Sequence, residues 1–417
     1  MFRSKQANTA EEEHHSPNYY IRKRFFSNPP AVIGMGIVFL LGVVALLGYS
    51  IMPDQTPNAV DGSIEIKTQP PGFKVTLLRE RVDLREFEKR GFFSKMIWGQ
   101  PSNYKPYPIT SYRVDEQNLV VYYTLFDHGN IEDSKPIIDL IEDLALNEDN
   151  AEPIYKVEGD IVTYKTHEDG EVKTRTRKEV IDQFYRDCLR EKTYLLGTDS
   201  QGRDLLSRLI LGLRISFSIG FVSVIIALLV GVTLGSIAGF FGGWVDSIVM
   251  WFMSVVWSIP GIVLVIAISL ALNSKGIWVA FVAVGLTTWV EIARLVRGQI
   301  MEIKQKLFVE AARALGFTNL HIIYLHILPN IIGPLIVVAT SNFASAILIE
   351  AGLSFLGLGV QPPTPSWGSM VNDGFKTVTS YPYLVLFPSI CISLMVLAFN
   401  LFGNGLRDAY DPKGTAK

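Results

Sequence analysis

The residues best suited to doing work in this chain are Glu310-Ala311-Ala312-Arg313-Ala314-Leu315-Gly316, followed by His326-Ile327-Leu328-Pro329-Asn330. They read as a short helix of small and polar residues between two segments apolar enough to cross a bilayer. Phe308 to Leu315 predicts about two helical turns, and alanine is the best helix former, which matters in so short an element. Gly316 is expected to take the left-handed conformation that stops a helix and turns the chain back. Glu310, near the helix start, suits the helix dipole and is placed to pair with an arginine of another molecule. Ala311, Ala312 and Ala314 leave little bulk, so a partner surface can close over them. Pro329 is expected to open the return helix. The chemistry is therefore recognition, a docking surface on a loop. A plain helical hairpin between spans is the alternative.

Other candidate groups are few. Glu291 and Glu350 lie at the ends of apolar spans, where a carboxylate is costly and a functional reading is the default. Pairing with a neighbour such as Arg294 is the alternative. The turn from Pro362-Pro363 to Trp367 is rigid and serves either as a docking rim or as a stiff loop. Arg203 and Asp204 are placed to fix the start of a membrane helix. No GxxxxGK[ST] phosphate loop occurs, so nucleotide binding by that route is excluded. His14, His15, His128, His167, His321 and His326 show no metal-ligand spacing. Cys188 sits in a polar stretch and Cys391 in an apolar one, so no internal disulfide is expected.

The elements that must position these groups fall into two kinds. The 417 residues are 49% hydrophobic and 19% charged, with a mean hydropathy of +0.27. The apolar residues concentrate near the N-terminus and in the C-terminal half. The net charge of −2 argues against nucleic acid as a partner. Residues 1–17 are polar and expected to be disordered. Tyr19 to Phe26 interleaves aromatics with Arg22, Lys23 and Arg24, which suits an interfacial segment within a tail of residues 1–30. Residues 31–52 form a retained membrane helix; a signal peptide fits less well, because no small-residue cleavage site follows Met52.

Residues 53–193 read as a soluble α+β insert of small-domain size. Its strand-like runs are Ile64–Lys67, Lys74–Leu77, Leu119–Tyr123, Ile161–Lys165 and Glu171–Thr174, with turns at Asp160 and Glu168-Asp169-Gly170. An amphipathic helix is expected over Arg177–Lys192, with Val180, Phe184 and Leu189 on one face. Residues 194–213 lead back to the membrane. A five-helix domain over 214–404 has crossings near 214–238, 246–270, 277–296, 331–351 and 382–402. Gly220, Gly231, Gly235 and Ala238 allow close helix approach in lipid. The docking loop covers 297–330, and 405–417 is a tail. With six spans, Arg22, Lys23 and Arg24 share a side with Arg294, Arg297, Lys304, Lys306 and Arg313, which the positive-inside rule makes the cytoplasm. Both termini then lie inside and the insert faces outward.

Several motifs resemble permeases of the dipeptide and oligopeptide (and nickel) branch of ABC importers, in particular the C-type subunit. They are Arg24-Phe25-Phe26-Ser27-Asn28-Pro29, Leu196-Gly197-Thr198-Asp199 through Arg208, Ala238-Gly239-Phe240-Phe241-Gly242-Gly243-Trp244-Val245-Asp246 and Ala293-Arg294-Leu295-Val296-Arg297-Gly298. Glu350 to Gly359, Pro362 to Gly368 and Asn400 to Asp408 complete the set. The resemblance covers about residues 20–52 and 194–412 and includes the Glu310-Ala311-Ala312 to Gly316 and Ile327-Leu328-Pro329 loop. It departs from the family at Trp251 and Ser254, where an Arg and an Asp are usual, at Val290 within Trp289–Ile292, and in the insert.

The resemblance implies an all-α polytopic domain of six transmembrane helices, type I importer-like, with the α+β insert between helices 1 and 2. It implies a non-enzymatic permease subunit in the plasma (inner) membrane of a bacterium, without cofactor or metal. Expected partners are a homologous permease, two ABC ATPase subunits gripping Glu310, Ala311, Ala312, Gly316 and Pro329, an extracytoplasmic solute-binding protein and membrane lipid. Glu291 and Glu350 become candidates for translocation or gating. Pro362, Pro363 and Trp367 become candidates for binding-protein docking. The cargo is di- or oligopeptides, or another solute such as a nickel chelate or opine. A secondary transporter is disfavoured, because its ionisable groups would sit at mid-bilayer, and a membrane-anchored receptor because the tail after Asn400 is short.

Overall fold

The structure is a computed structural model describing residues 16–81, 90–127, 129, 131–146, 153–167, 170–273 and 276–411. The expected disordered tail (save Ser16 and Pro17), His14, His15, His128 and the Glu168-Asp169 part of one turn lie outside the described residues. Helix α1, Pro17–Phe26, carries the Tyr, Arg and Lys run, and its Arg24 donates to the carbonyl of Asp411 at 3.0 Å. Asn28 caps α2, Pro29–Ile51, by accepting from the Ala31 N–H, and the prolines fall in the first turn, where an N–H has no helical partner.

The insert follows. Its main sheet is antiparallel, in the order Glu132–Pro136, Val120–Leu125, Tyr104–Asp115, Phe73–Arg81, Leu189–Tyr194. The elements are β1 Phe73–Arg81, α3 Phe92–Trp98, β2 Tyr104–Asp115, β3 Val120–Leu125, β4 Glu132–Pro136, α4 Ile137–Ile141, β5 Tyr155–Glu158, β6 Ile161–Lys165, β7 Val172–Thr176, α5 Arg177–Gln183 and β8 Leu189–Tyr194. Strands β5, β6 and β7 make a second small sheet. Leu78, Val121, Ile137, Ile138, Val162, Val180 and Phe184 meet in one core.

Two expectations fail here for identifiable reasons. The Arg177–Lys192 helix stops early. Thr176 and Glu179 form a capping box for α5, a π-turn follows over Phe184–Cys188, and the last residues become β8. The edge of β1 offers a ladder that pairs Leu78 with Leu189 and Phe73 with Tyr194, and this pairing outweighs a weak helical period. The run Ile64–Lys67 is no strand. Ile64–Ile66 is a 3-10 turn, whose Ile66 carbonyl accepts from Thr198 Oγ1 at 2.5 Å while its side chain packs under Val75, Leu77 and Tyr194.

The membrane part contains α6 Leu205–Phe241, α7 Gly243–Ser258, α8 Gly261–Ala271, α9 Ile277–Ile303, α10 Leu307–Ala314, α11 Asn319–His321, α12 Leu328–Phe355, α13 Trp367–Phe375 and α14 Tyr383–Tyr410. Five helical stretches are long and apolar enough to cross a membrane among the described residues: α2, α6, α9, Asn319–Phe355 and α14. The expected span over 246–270 is not straight. Helices α7 and α8 meet at 96°, because Ile259 before Pro260 is held extended. Six spans result only if that bent pair is one. Helix α6 reaches back to Leu205, so part of the 194–213 segment is helix.

Close packing of α6 on α9 rests on Gly231, Gly235 and Gly239 at four-residue spacing. A Cβ on Gly235 would sit 2.5 Å from the Ala293 carbonyl, and one on Gly239 would sit 2.8 Å from that of Arg297. That spacing puts all three on one helix face, and backbones approach there as in small-residue membrane contacts.

Candidate functional site

The predicted docking helix forms as α10, one residue out of register with the expectation. Gly316 has φ +80. Its N–H donates to the Arg313 carbonyl at 2.9 Å, and the Phe317 N–H reaches the Ala312 carbonyl at 3.2 Å. This is the glycine-terminated cap that satisfies the last carbonyls of a helix. The helix has two faces. Val309 and Ala312 are buried on Phe240, Ile300, Ile322, Ile323 and Ile327. Glu310, Ala311, Arg313, Ala314 and Gly316 are exposed, together with Leu307 at 82% and Leu315 at 77%. Ala312 therefore faces its own bundle, where its small size lets the helix lie close, while Ala311 and Ala314 face outward.

Pro329 lies within the return segment, at the start of its long helix. Thr318 accepts from the His321 N–H and starts the return helix at Asn319. A π-turn spans Ile322–Ile327 before Pro329, which sits in the first turn of α12. A proline cannot donate to the preceding turn, and the widened turn accommodates it.

The loop is bolted to the bundle by polar contacts. Arg297 grips Asp246 with two bonds, Nε to Oδ1 at 2.5 Å and a guanidinium NH2 to Oδ2 at 2.6 Å. Lys304 Nζ donates to the Gly239 carbonyl at 2.8 Å. Each partner of the ion pair lies in a different sequence motif, and the pairing was the missed meaning of those motifs. A forked arginine and carboxylate fix geometry as well as charge. Trp251 is exposed and Ser254 bonds back to its own helix at the Met250 carbonyl, 2.8 Å. The departures at these two positions leave no pair there. Val290 is buried beside Trp289, which stacks on Phe252.

The two candidate carboxylates differ. Glu291 is exposed on α9, and Arg294, its expected partner, lies over the Trp257 ring at 3.9 Å. Glu350 is wholly buried. Ser216 donates to its Oε2 at 3.2 Å and Ser354 to its Oε1 at 2.7 Å. Ser354 in turn accepts from the Val360 N–H at 3.2 Å. Glu350 therefore ties α6, α12 and the following loop together. Neither carboxylate lines the cavity of about 1180 Å³ at the loop end of the bundle, which Asn330, Ser341, Asn404 and Arg407 help to form.

At the opposite end, Pro362 and Pro363 are exposed. Trp367 is only 2% exposed. Its Nε1 donates to the Leu209 carbonyl at 2.9 Å, and its ring lies where a side chain on Gly212 would need to be. It anchors the proline turn from beneath. Arg203 and Asp204 do fix the start of α6: Asp204 accepts from the Ser207 N–H at 2.9 Å, and Arg203 Nε donates to Asp199 at 2.7 Å. Asp199 also meets Arg208 at 3.2 Å. The insert joins the membrane domain on this side, through Asp54 N–H to Ser207 Oγ at 2.9 Å and Thr364 Oγ1 to Asn58 at 3.1 Å.

Comparison with known proteins places this architecture. Residues 231–415 match the family of binding-protein-dependent transport system inner membrane components, and residues 16–71 match the N-terminal membrane domain of oligopeptide transport permease C. The glutathione transport system permease protein GsiD of Pectobacterium atrosepticum is 44% identical over 218 residues, 52% of this chain and 72% of its own length. The dipeptide transport system permease protein DppC of Alkalihalophilus pseudofirmus is 44% identical over 217 residues, 52% and 71%. The oligopeptide transport system permease protein OppC of Bacillus subtilis is 41% identical over 222 residues, 53% and 72%. Among solved structures, the MetNI methionine ABC transporter in an inward-facing form aligns over 48% of this chain and 95% of its own, with 20% identity and a TM-score of 0.38. The chain belongs to the binding-protein-dependent transport system inner membrane components, the multi-pass permease subunits of ABC importers.

Proposed function

We propose that this subunit forms, with a homologous permease, the path for di- or oligopeptides in an importer driven by two separate ATPase subunits. The supporting observation is α10. A short helix with an exposed Glu310, Ala311 and Ala314 flank, apolar Leu307 and Leu315 at its ends and a glycine stop is built to be gripped. Its inner face is fixed to α6 and α9, so a push on it is passed to the bundle, whose discrete packings supply inward and outward openings. The termini and α10 face the cytoplasm, following the positive charges of α1 and of Lys304, Lys306 and Arg313. A solute-binding protein delivers cargo on the insert side, where Pro362 and Pro363 stand exposed. The insert adds a docking platform for that protein or for the neighbouring permease; replacing it with a short linker should weaken binding-protein affinity, and unchanged affinity refutes that role. Peptide cargo is favoured by the dipeptide, oligopeptide and glutathione names of the relatives.

The test of the grip is a photo-crosslinking amino acid in the purified, reconstituted transporter. At Leu315 it should capture the ATPase subunit, and at buried Val309 it should not. Vigorous ATP hydrolysis without capture at Leu315 refutes α10 as the contact.

A further inference from the structure

Helix α3, Phe92-Phe93-Ser94-Lys95-Met96-Ile97-Trp98, has no part in the transport reading. Phe92, Phe93, Ile97 and Trp98 are all exposed, Phe93 at 74% and Trp98 at 65%. The insert closes its own core without them. So many large apolar side chains in seven residues mark an interaction surface.

The position of α3 says which one. It packs beside the far end of α2. The Met96 carbonyl accepts from the Arg214 guanidinium at 3.0 Å, and that guanidinium lies 5.5 Å from the centre of the Tyr49 ring. Gly99, just past α3, is so close that a Cβ there would sit 2.8 Å from both Tyr49 and the Gln55 carbonyl. Tyr49 is in the last turn of α2. The helix is therefore held level with the point where α2 leaves the bilayer. Leu46, Leu47 and Ile51 of α2 are exposed apolar residues on this last stretch. Aromatic rings with a lysine at that depth are what the headgroup boundary accepts.

We propose that α3 is an interfacial anchor, seating Phe92, Phe93, Ile97 and Trp98 in the leaflet on the insert's side and so fixing the insert against the membrane. The occupant is lipid, because the exposed surface continues the lipid-facing surface of α2. A covering neighbour permease is the rival occupant.

The full chain in phosphatidylcholine nanodiscs tests this. Cys391→Ser leaves only the buried Cys188 as a native thiol. Spin labels go on Phe93→Cys and Trp98→Cys, with Ile131→Cys, an exposed insert residue, as the aqueous control. We expect oxygen to relax the labels at 93 and 98 several-fold more, relative to an aqueous nickel chelate, than at 131. A ratio equal to that at 131 overturns the proposal. So does shielding from both reagents once the partner permease is assembled, which would mean that protein covers the helix. Bromine-labelled lipids give a second readout with the native side chains: Trp98→Phe should remove quenched tryptophan emission, and removal of unquenched emission alone overturns the anchor.

Discussion

Replacing Gly316 perturbs the stop of α10 and nothing else. A Cβ built on this residue meets no atom within 4 Å, so no steric clash complicates the effect. What remains is the backbone, whose φ of +80 costs an ordinary L-residue about 1–2 kcal/mol. Asparagine tolerates that region, alanine bears the ordinary cost, and the β-branched valine bears more. If the chain instead leaves the left-handed region, it forfeits the Gly316 N–H to Arg313 and Phe317 N–H to Ala312 bonds, each worth about 1 kcal/mol. Either route disfavours the turn by about 2 kcal/mol for valine, on the order of a 30-fold shift against the gripped geometry. The assay is cargo-stimulated ATPase activity of the reconstituted transporter, with subunit assembly followed in parallel. Stimulation should fall in the order Asn, Ala, Val while insertion and assembly persist. Full stimulation with Gly316→Val refutes the reasoning. Equal collapse of all three variants, assembly included, refutes it as well, because the open space around Gly316 gives no reason for Asn to fail.

Other parts of the structure carry their own tests. Phe184→Ala empties the insert core and should cost about 3–5 kcal/mol, read by chemical denaturation of the insert signal in the full chain, with the membrane helices little affected. Arg297→Ala leaves Asp246 half-buried without its forked partner and should destabilise the α7 and α9 contact by about 1.5–3 kcal/mol, measured as a lower midpoint of thermal unfolding in detergent; Arg297→Lys should recover only part, since an ammonium cannot bind both oxygens. Burial pushes the Cys188 thiol up to about 12, so the folded insert should hold on the order of a thousandfold less thiolate than an open thiol at pH 8. Maleimide labelling of Cys188 should therefore be negligible until denaturant is added, and prompt labelling of the native protein would contradict its burial.

Helix α10, the spans and the outline of the insert were legible because each rests on local signals: alanine content, a stop glycine, long apolar runs and alternating strands. What stayed hidden is long-range. Leu189 to Tyr194 reads as the end of a helix until the edge of β1 is there to pair with it. The 96° break at Pro260 follows from one proline, but the hydropathy of 246–270 runs smoothly across it. Glu350 and Trp367 stand out in sequence, but the groups that hold them, the hydroxyl of Ser216 and the carbonyl of Leu209, are remote in the chain and gave no local signal. Ala312 shows the same limit in a smaller way, since composition says that a helix is slim but not which side rests on the bundle. The Asp246 and Arg297 pair had a trace, one acid and one base in two separate motifs, yet nothing local joined them.

The proposed function is transport of peptides by an ATPase-driven assembly. The most direct measurement reconstitutes this chain with its partner permease, ATPases and binding protein in liposomes, supplies a mixed peptide pool, and identifies the imported species by mass spectrometry. We expect peptide uptake that requires ATP, the ATPase subunits and the binding protein together. Uptake that persists without the ATPases under an ion gradient, or no peptide uptake while ATP hydrolysis and binding protein are intact, would contradict it.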